Sequence, residues 1–198
     1  MIWILYNVLF AIGFLLLLPK FLLRMARRGG YARDFSQRFG HYRPEVVARL
    51  DEHRRVWVHA VSVGEIFVAL KLMEQWRERR PNVHFVLTTN TSTGHSIAAK
   101  KLDARDVLLY FPLDTPWIIR RVLDTLDPLA LILVELELWP NLVRMAHARG
   151  VPAILVNGRV SDHSFGGYQK LRAFTRRLLP MVDALCVQTK LDGERLVA

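Results

Sequence analysis

A chain of 198 residues, 52% of them hydrophobic, can bury one core, so one domain plus a short appended segment is the expected plan. Its single cysteine, Cys186, excludes a disulfide framework, and with seven scattered histidines it gives no metal-ligand spacing, so no metal site is expected. The net charge of +10 is local: ten basic residues stand against four acids between Lys20 and Arg55, a surplus of six that suits an anionic membrane surface. No module interleaving aromatics with Lys and Arg is present, so nucleic acid is not an expected partner.

From Ile2 to Leu18 the chain is apolar except for Asn7 and Gly13; Pro19 and Lys20 interrupt the run, and Phe21, Leu22 and Leu23 extend it. About 20 helical residues at 1.5 Å each cover the roughly 30 Å hydrocarbon layer. No basic residue precedes the run, whereas Arg24, Arg27 and Arg28 follow it. That is the reverse of a cleaved signal peptide, and by the positive-inside rule the bulk of the chain is expected to stay in the cytoplasm. A helix lying in the interface is the alternative to a spanning one. The expected division is therefore an anchor helix over 1–23, a basic connector over 24–53 and a folded domain over 54–198.

Beyond the connector, short apolar runs alternate with helical segments: Val56–Val61 with Ile66–Arg79, His84–Thr89 with His95–Leu102, and Val107–Phe111 with Pro116–Leu126. The series continues as Leu129–Glu135, Leu138–Arg149, Ala153–Asn157, Gly167–Leu178, Ala184–Gln188 and a last stub from Leu191. Strands too short to be helices, alternating with longer helical patterns, predict βαβ units. Leu131–Val134 and Ala153–Val156 lack polar alternation, as strands covered on both faces should. The fold class is α/β: a Rossmann-like, doubly wound parallel sheet behind a membrane helix, with ligands expected at the carboxyl ends of the strands.

The loops at those ends carry the candidate chemistry. In His59-Ala-Val-Ser-Val-Gly-Glu65, Ser62 and Glu65 have the spacing of a capping box, which alone explains both. The functional reading has Glu65, held ionised by the helix dipole, facing an open crevice and accepting a proton from a hydroxyl. Gly64 suits either a tight turn or a close ligand. The hydroxyl-rich Thr88-Thr-Asn-Thr-Ser-Thr-Gly94 offers N–H donors to a phosphate, or is a plain N-cap. In Val134-Glu-Leu-Glu-Leu-Trp-Pro-Asn141, two carboxylates two residues apart would point to opposite faces of an extended strand, and Pro140 should open a helix. Asn157-Gly-Arg-Val-Ser-Asp-His-Ser164 brings Arg159 to the same edge, suited to a phosphate or carboxylate or to a surface acid.

Those loops, with Phe111-Pro-Leu-Asp114 and the earlier Tyr31-x-x-Asp-Phe-Ser-Gln-Arg-Phe-Gly40, stand in an order and spacing that resembles the Kdo transferases of lipopolysaccharide synthesis (Kdo is 3-deoxy-D-manno-oct-2-ulosonate). The resemblance covers essentially the whole chain and implies the N-terminal, acceptor-binding half of a GT-B glycosyltransferase. It implies inverting, metal-independent transfer from the donor CMP-Kdo to the lipid A precursor, without a cofactor. In that family Glu65 matches the general base and Glu135 a second essential acid. Ser62, Gly64 and the turn Thr91, Ser92, Thr93 and Gly94 would shape the acceptor pocket, with the basic surface and Arg159 near its phosphates. Leu136 and Gly158 stand where the family suggests Thr and Ala. The family is about twice as long, so the donor-binding domain is expected beyond this chain and residues 1–198 alone are expected not to turn over. A non-catalytic membrane-bound lipid-binding module, or a GT-B enzyme with another lipid acceptor, would fit the residues less specifically.

Overall fold

The computed structural model describes residues 2–28, 34–161, 165–167 and 171–197; the side chains of Phe21, Leu22, residues 24–28 and Val197 are outside that description. So are Asp162, His163 and Ser164 of the fifth loop, residues 168–170 of the helical pattern expected after it, and Tyr31 and Arg33 of the connector.

Six parallel strands form one sheet in the order β3-β2-β1-β4-β5-β6. They are β1 (Val56–His59), β2 (Phe85–Thr89), β3 (Val107–Tyr110), β4 (Ala130–Val134), β5 (Ala153–Gly158) and β6 (Ala184–Val187). Both sheet faces are buried, which is why the strands read as continuous apolar runs. Trp57, Leu131 and Leu133 pack with Ile119 and Val122 of α5 (Pro116–Leu126) and Leu142 and Val143 of α6 (Pro140–Ala148). Val58 and Ile132 face the other way, onto Ile66 and Ala69 of α3 (Val63–Arg79) and Ala98 of α4 (Ser92–Lys101). The sheet is the doubly wound Rossmann-like one expected, closed by α7 (Arg172–Leu178) and α8 (Lys190–Val197).

Of the stretch read as a connector, residues 34–53 pack on the domain. A 3₁₀ turn over Phe35–Phe39 and α2 (Pro44–Asp51) pack on the edge at β3. Tyr110 N–H donates to Gln37 Oε1 at 2.9 Å, and Leu113 N–H to the Arg38 carbonyl at 2.8 Å. This packing engages much of the charge assigned to a membrane surface. Arg38 and Arg55 are buried. Arg55 donates to the His53 carbonyl at 2.6 Å, Arg49 to that of Ala104 at 2.7 Å, and Arg43 and Arg54 pair with Asp34 and Asp127. Half of the ten basic residues thus hold the fold together. A count of charges along the chain could not separate the two uses.

The first helix, α1 (Ile2–Arg28), runs through Pro19 and over Ile2–Lys20 is long and apolar enough to cross a membrane by length and composition. Trp3, Tyr6, Asn7, Phe10, Gly13, Phe14 and Leu18 recur at helical spacing and are the half-buried face, turned to the domain. Trp3 and Tyr6 pack on Phe174 of α7, at 5.4 and 5.9 Å between ring centres, and the Arg144 guanidinium of α6 lies over Trp3. The opposite face, including Leu5, Leu9, Ile12 and Leu16, is exposed.

Candidate active site

In this strand order the winding reverses between β1 and β4, so the crevice beyond their carboxyl ends is where such a sheet receives a ligand. The two loops that carry Glu65 and Glu135 leave the sheet at that point.

After β1 the chain turns at Ser62, which caps α3. Ser62 Oγ accepts the Glu65 N–H at 3.2 Å; in return Glu65 Oε1 accepts the Ser62 N–H at 3.0 Å and Oε2 the Val61 N–H at 2.8 Å. The capping box is complete. Glu65 is 5% exposed, so it does not face open solvent as expected but folds back over the helix start. Each of its oxygens keeps a further lone pair. Ser62 and Gly64 are exposed beside it, and a methyl at Gly64 would meet only Ser62 Oγ at 3.8 Å.

The end of β4 is strained. Glu135 has φ +60°, a left-handed conformation unusual for a residue with a side chain, while its N–H still donates to the Val156 carbonyl at 2.9 Å. Asn157, at the end of neighbouring β5, has φ +59°. Conformations of this kind cost about 1–3 kcal/mol and tend to gather at functional sites. Burial, then the Glu65 charge, pushes the Glu135 carboxyl upward, with Arg159 acting against the rise. Glu137 is pushed up to about 7, chiefly by burial, then by Glu65 and after it Glu135. The turn thus brings Glu65, Glu135 and Glu137 within electrostatic reach of one another, and exposed Arg159 within reach of Glu135. Alternation along an extended strand would have parted the two acids of the β4 loop; the left-handed residue between strand and loop breaks that alternation.

The hydroxyl-rich turn after β2 is an N-cap. Thr91 Oγ1 accepts the Gly94 N–H at 3.1 Å, Ser92 is the first residue of α4, and Thr93 is exposed. A Cβ on Gly94 would come within 2.6 Å of Ile66 Cδ1, so glycine is what lets α4 approach α3 here.

Asp114 and Asn141, quoted in the sequence without a role, form the most heavily bonded buried group near this edge. Asp114 accepts the N–H groups of Asn141 and Leu142, both at 2.9 Å, and so caps α6 from another loop, where the helix's own N-cap, Trp139, cannot. It also accepts the Tyr6 hydroxyl at 2.8 Å, and Asn141 Nδ2 donates to Asn7 Oδ1 at 2.7 Å. Fully buried His59 stacks on Phe111 at 3.8 Å, which packs on Trp139 at 5.0 Å; burial lowers the imidazole to about 3, so it is neutral. The only signal for this group was the recurrence of Phe111–Asp114 and Trp139–Asn141 among the motifs.

Among the described residues no three His, Cys, Asp or Glu side chains converge as a metal site would require.

Residues 33–198 match the family described as 3-deoxy-D-manno-octulosonic-acid transferase (kdotransferase). The chain is similar to a 3-deoxy-D-manno-octulosonic acid transferase of Haemophilus influenzae, 29% identical over 83% of this chain and 38% of that protein. One of Chlamydia trachomatis is 29% identical over 98% of this chain and 44% of its own length. A bifunctional glycosyltransferase/methyltransferase of Fusobacterium nucleatum is 32% identical over 75% of the chain and 23% of its length. The chain spans less than half the length of these relatives. With the family match covering most of its residues, and all six strands within the matched range, the chain belongs to the kdotransferase family, whose members are glycosyltransferases.

Proposed function

We propose that this chain is the acceptor-facing half of an inverting, metal-independent glycosyltransferase that moves Kdo from CMP-Kdo to a hydroxyl of the lipid A precursor at the cytoplasmic face of the inner membrane. The observation that carries the reading is the placement of Glu65 and Glu135 on the two loops that leave β1 and β4 at the switch point of a sheet that belongs to this family. In the reaction the acceptor oxygen forms a bond to the anomeric carbon of Kdo, and the bond from that carbon to the phosphate oxygen of CMP breaks. CMP leaves with the electron pair, and the hydroxyl proton passes to a carboxylate.

Glu65 is the base in this proposal. Its cap does not forbid the role: leaving the capping box forfeits about 0.5–2 kcal/mol, a cost that acceptor binding can offset. Glu135, held by its left-handed backbone, is the second acid, and Arg159 with the basic residues near α1 meets the acceptor's phosphates. The donor is held by residues outside this chain.

The test is Glu65→Gln in the complete protein, with Kdo transfer and acceptor binding measured separately. A fall in kcat of about 10²-fold or more, with binding retained, is expected of a lost base. Turnover within a few-fold of the parent, with only a small loss of thermal stability, would leave Glu65 as a cap and nothing more.

A further inference from the structure

A cavity of about 450 Å³ lies between α1 and the carboxyl end of the sheet. Phe14, Leu17 and Leu18 of α1 form one wall; Phe111, Leu113 and Trp139 form the other. Its polar lining is Arg38, Asn90, Asp114 and the indole N–H of Trp139; Arg38 donates to the Asn90 carbonyl at 2.6 Å, and Asp114 holds α6 and Tyr6. Most of the lining is hydrocarbon, so a sugar or phosphate filling the cavity would lose more water than the few polar groups could replace, whereas hydrocarbon loses nothing.

We propose that this cavity receives one fatty acyl chain of the lipid acceptor. Three observations select that occupant. The cavity runs along a helix with an exposed apolar stripe, and Leu17 on the cavity wall is itself exposed beside Leu16, so the wall runs into an apolar surface of the kind a bilayer covers. Its lining includes Asn90, directly after β2, and Trp139, in the loop that carries Glu135 and Glu137, so a chain seated there keeps its headgroup near the loops at the carboxyl end of the sheet. Gly13 lies on the wall, and a Cβ built on it meets nothing within 4 Å, so there the helix turns bare backbone to open space. The site measures the acceptor by its hydrocarbon as well as by its sugars. This rests on the acceptor reading above and extends it to a part of the lipid remote from the reacting hydroxyl.

The experiment uses the complete protein in lipid nanodiscs and two photoactivatable probes: a lipid A precursor with a diazirine at the end of one acyl chain, and phosphatidylglycerol bearing the same group. The acceptor probe should label Phe14, Leu17, Leu18 or Leu113, and the phosphatidylglycerol probe the outer stripe at Ile12 or Leu16. Gly13→Phe should reduce wall labelling about tenfold, the loss expected when roughly two methylenes are kept from burial. Gly13→Ala, which firms the helix equally but is too small to fill the space, should not. Equal labelling of the wall by both probes overturns the proposal, as does acceptor label confined to the outer stripe or to Trp117 on the other flank of α1. Equal loss from Gly13→Ala and Gly13→Phe overturns it too. Kdo transfer, assayed on the same samples, separates the two readings: wall labelling without transfer leaves the site standing and removes the activity, and transfer without wall labelling does the reverse.

Discussion

The Tyr6 hydroxyl donates a 2.8 Å hydrogen bond to the Asp114 carboxylate across 108 residues of sequence. It joins the apolar N-terminal helix to the carboxylate that caps α6, so that helix and the edge of the candidate site share one buried polar group. Such a helix is no loose tether. Its half-buried face, from Trp3 to Leu18, is turned to the domain, which it meets through Trp3, Tyr6 and Asn7, while the opposite face is exposed.

Tyr6→Phe removes one hydrogen bond to a charged acceptor while keeping the ring on Phe174, and should loosen α1 by about 1.5–3 kcal/mol. Asp114→Ala deletes the same bond together with both N–H acceptors of α6, and should cost more. Amide hydrogen exchange resolves the difference: faster exchange in α1 alone for the tyrosine variant, in α1 and the first turn of α6 for the aspartate one. Equal effects on α6 would show that Asp114 does not cap it.

Glu135→Gly should move stability and activity in opposite directions. Glycine adopts φ +60° without the clash a Cβ makes, so relief of the left-handed strain should raise stability by about 1 kcal/mol. The same change deletes the proposed second acid, and transfer should fall steeply. A destabilised variant would mean that the glutamate side chain contributes more to the fold than its backbone costs. Thermal melting and a transfer assay on one preparation decide the matter.

The pH dependence of stability carries the mark of Glu137. Its ordinary value is 4.5, and in the folded chain burial and the neighbouring acids push it up to about 7. Between those values the folded state holds more protons than the unfolded one, so stability falls as pH rises through the window and levels off above it. The decline attributable to this group is on the order of 1–3 kcal/mol. Glu137→Gln should flatten the curve between pH 4.5 and 7. Urea midpoints measured across the range test this, and a curve that falls as steeply in the variant assigns the decline elsewhere.

How much of this could be read from the chain depends on the range of the interaction. All six strands were legible as apolar runs, in β1 to β4 because burial on both faces leaves no polar alternation, although β6 is only partly covered. The runs overshoot where a loop residue is buried for another reason: Phe111 continues the third one but leaves the strand to stack on His59. The local cap at Ser62 and Glu65 was legible from a spacing of three, and so was the helix start at Pro140. The capping of α6 by Asp114 was not, since no local pattern announces a carboxylate arriving from another loop. Nor was the docking of α1, where Asn7 reads as a blemish in an apolar run until Asn141 appears opposite it. The internal use of Arg38 and Arg55 stayed hidden for the same reason.

Gly158 stands where the family resemblance suggests alanine, and the packing of β5 accounts for it. A Cβ at 158 would lie 2.5 Å from Leu155 Cδ2 and 3.2 Å from Val187 Cγ1. Leu155 is fully buried, so its methyl has little room to retreat. Gly158→Ala should therefore destabilise the chain by about 1–3 kcal/mol, the usual cost of overfilling a packed core. Leu155→Val, which shortens the side chain nearest the new methyl, should cost about 1 kcal/mol on its own as a small cavity. Combined, the two changes should cost less than their sum, because the methyl added at 158 enters space that the shortened side chain gives up. A double-mutant cycle from chemical denaturation measures this, and strict additivity would mean that the two positions do not compete for the same volume.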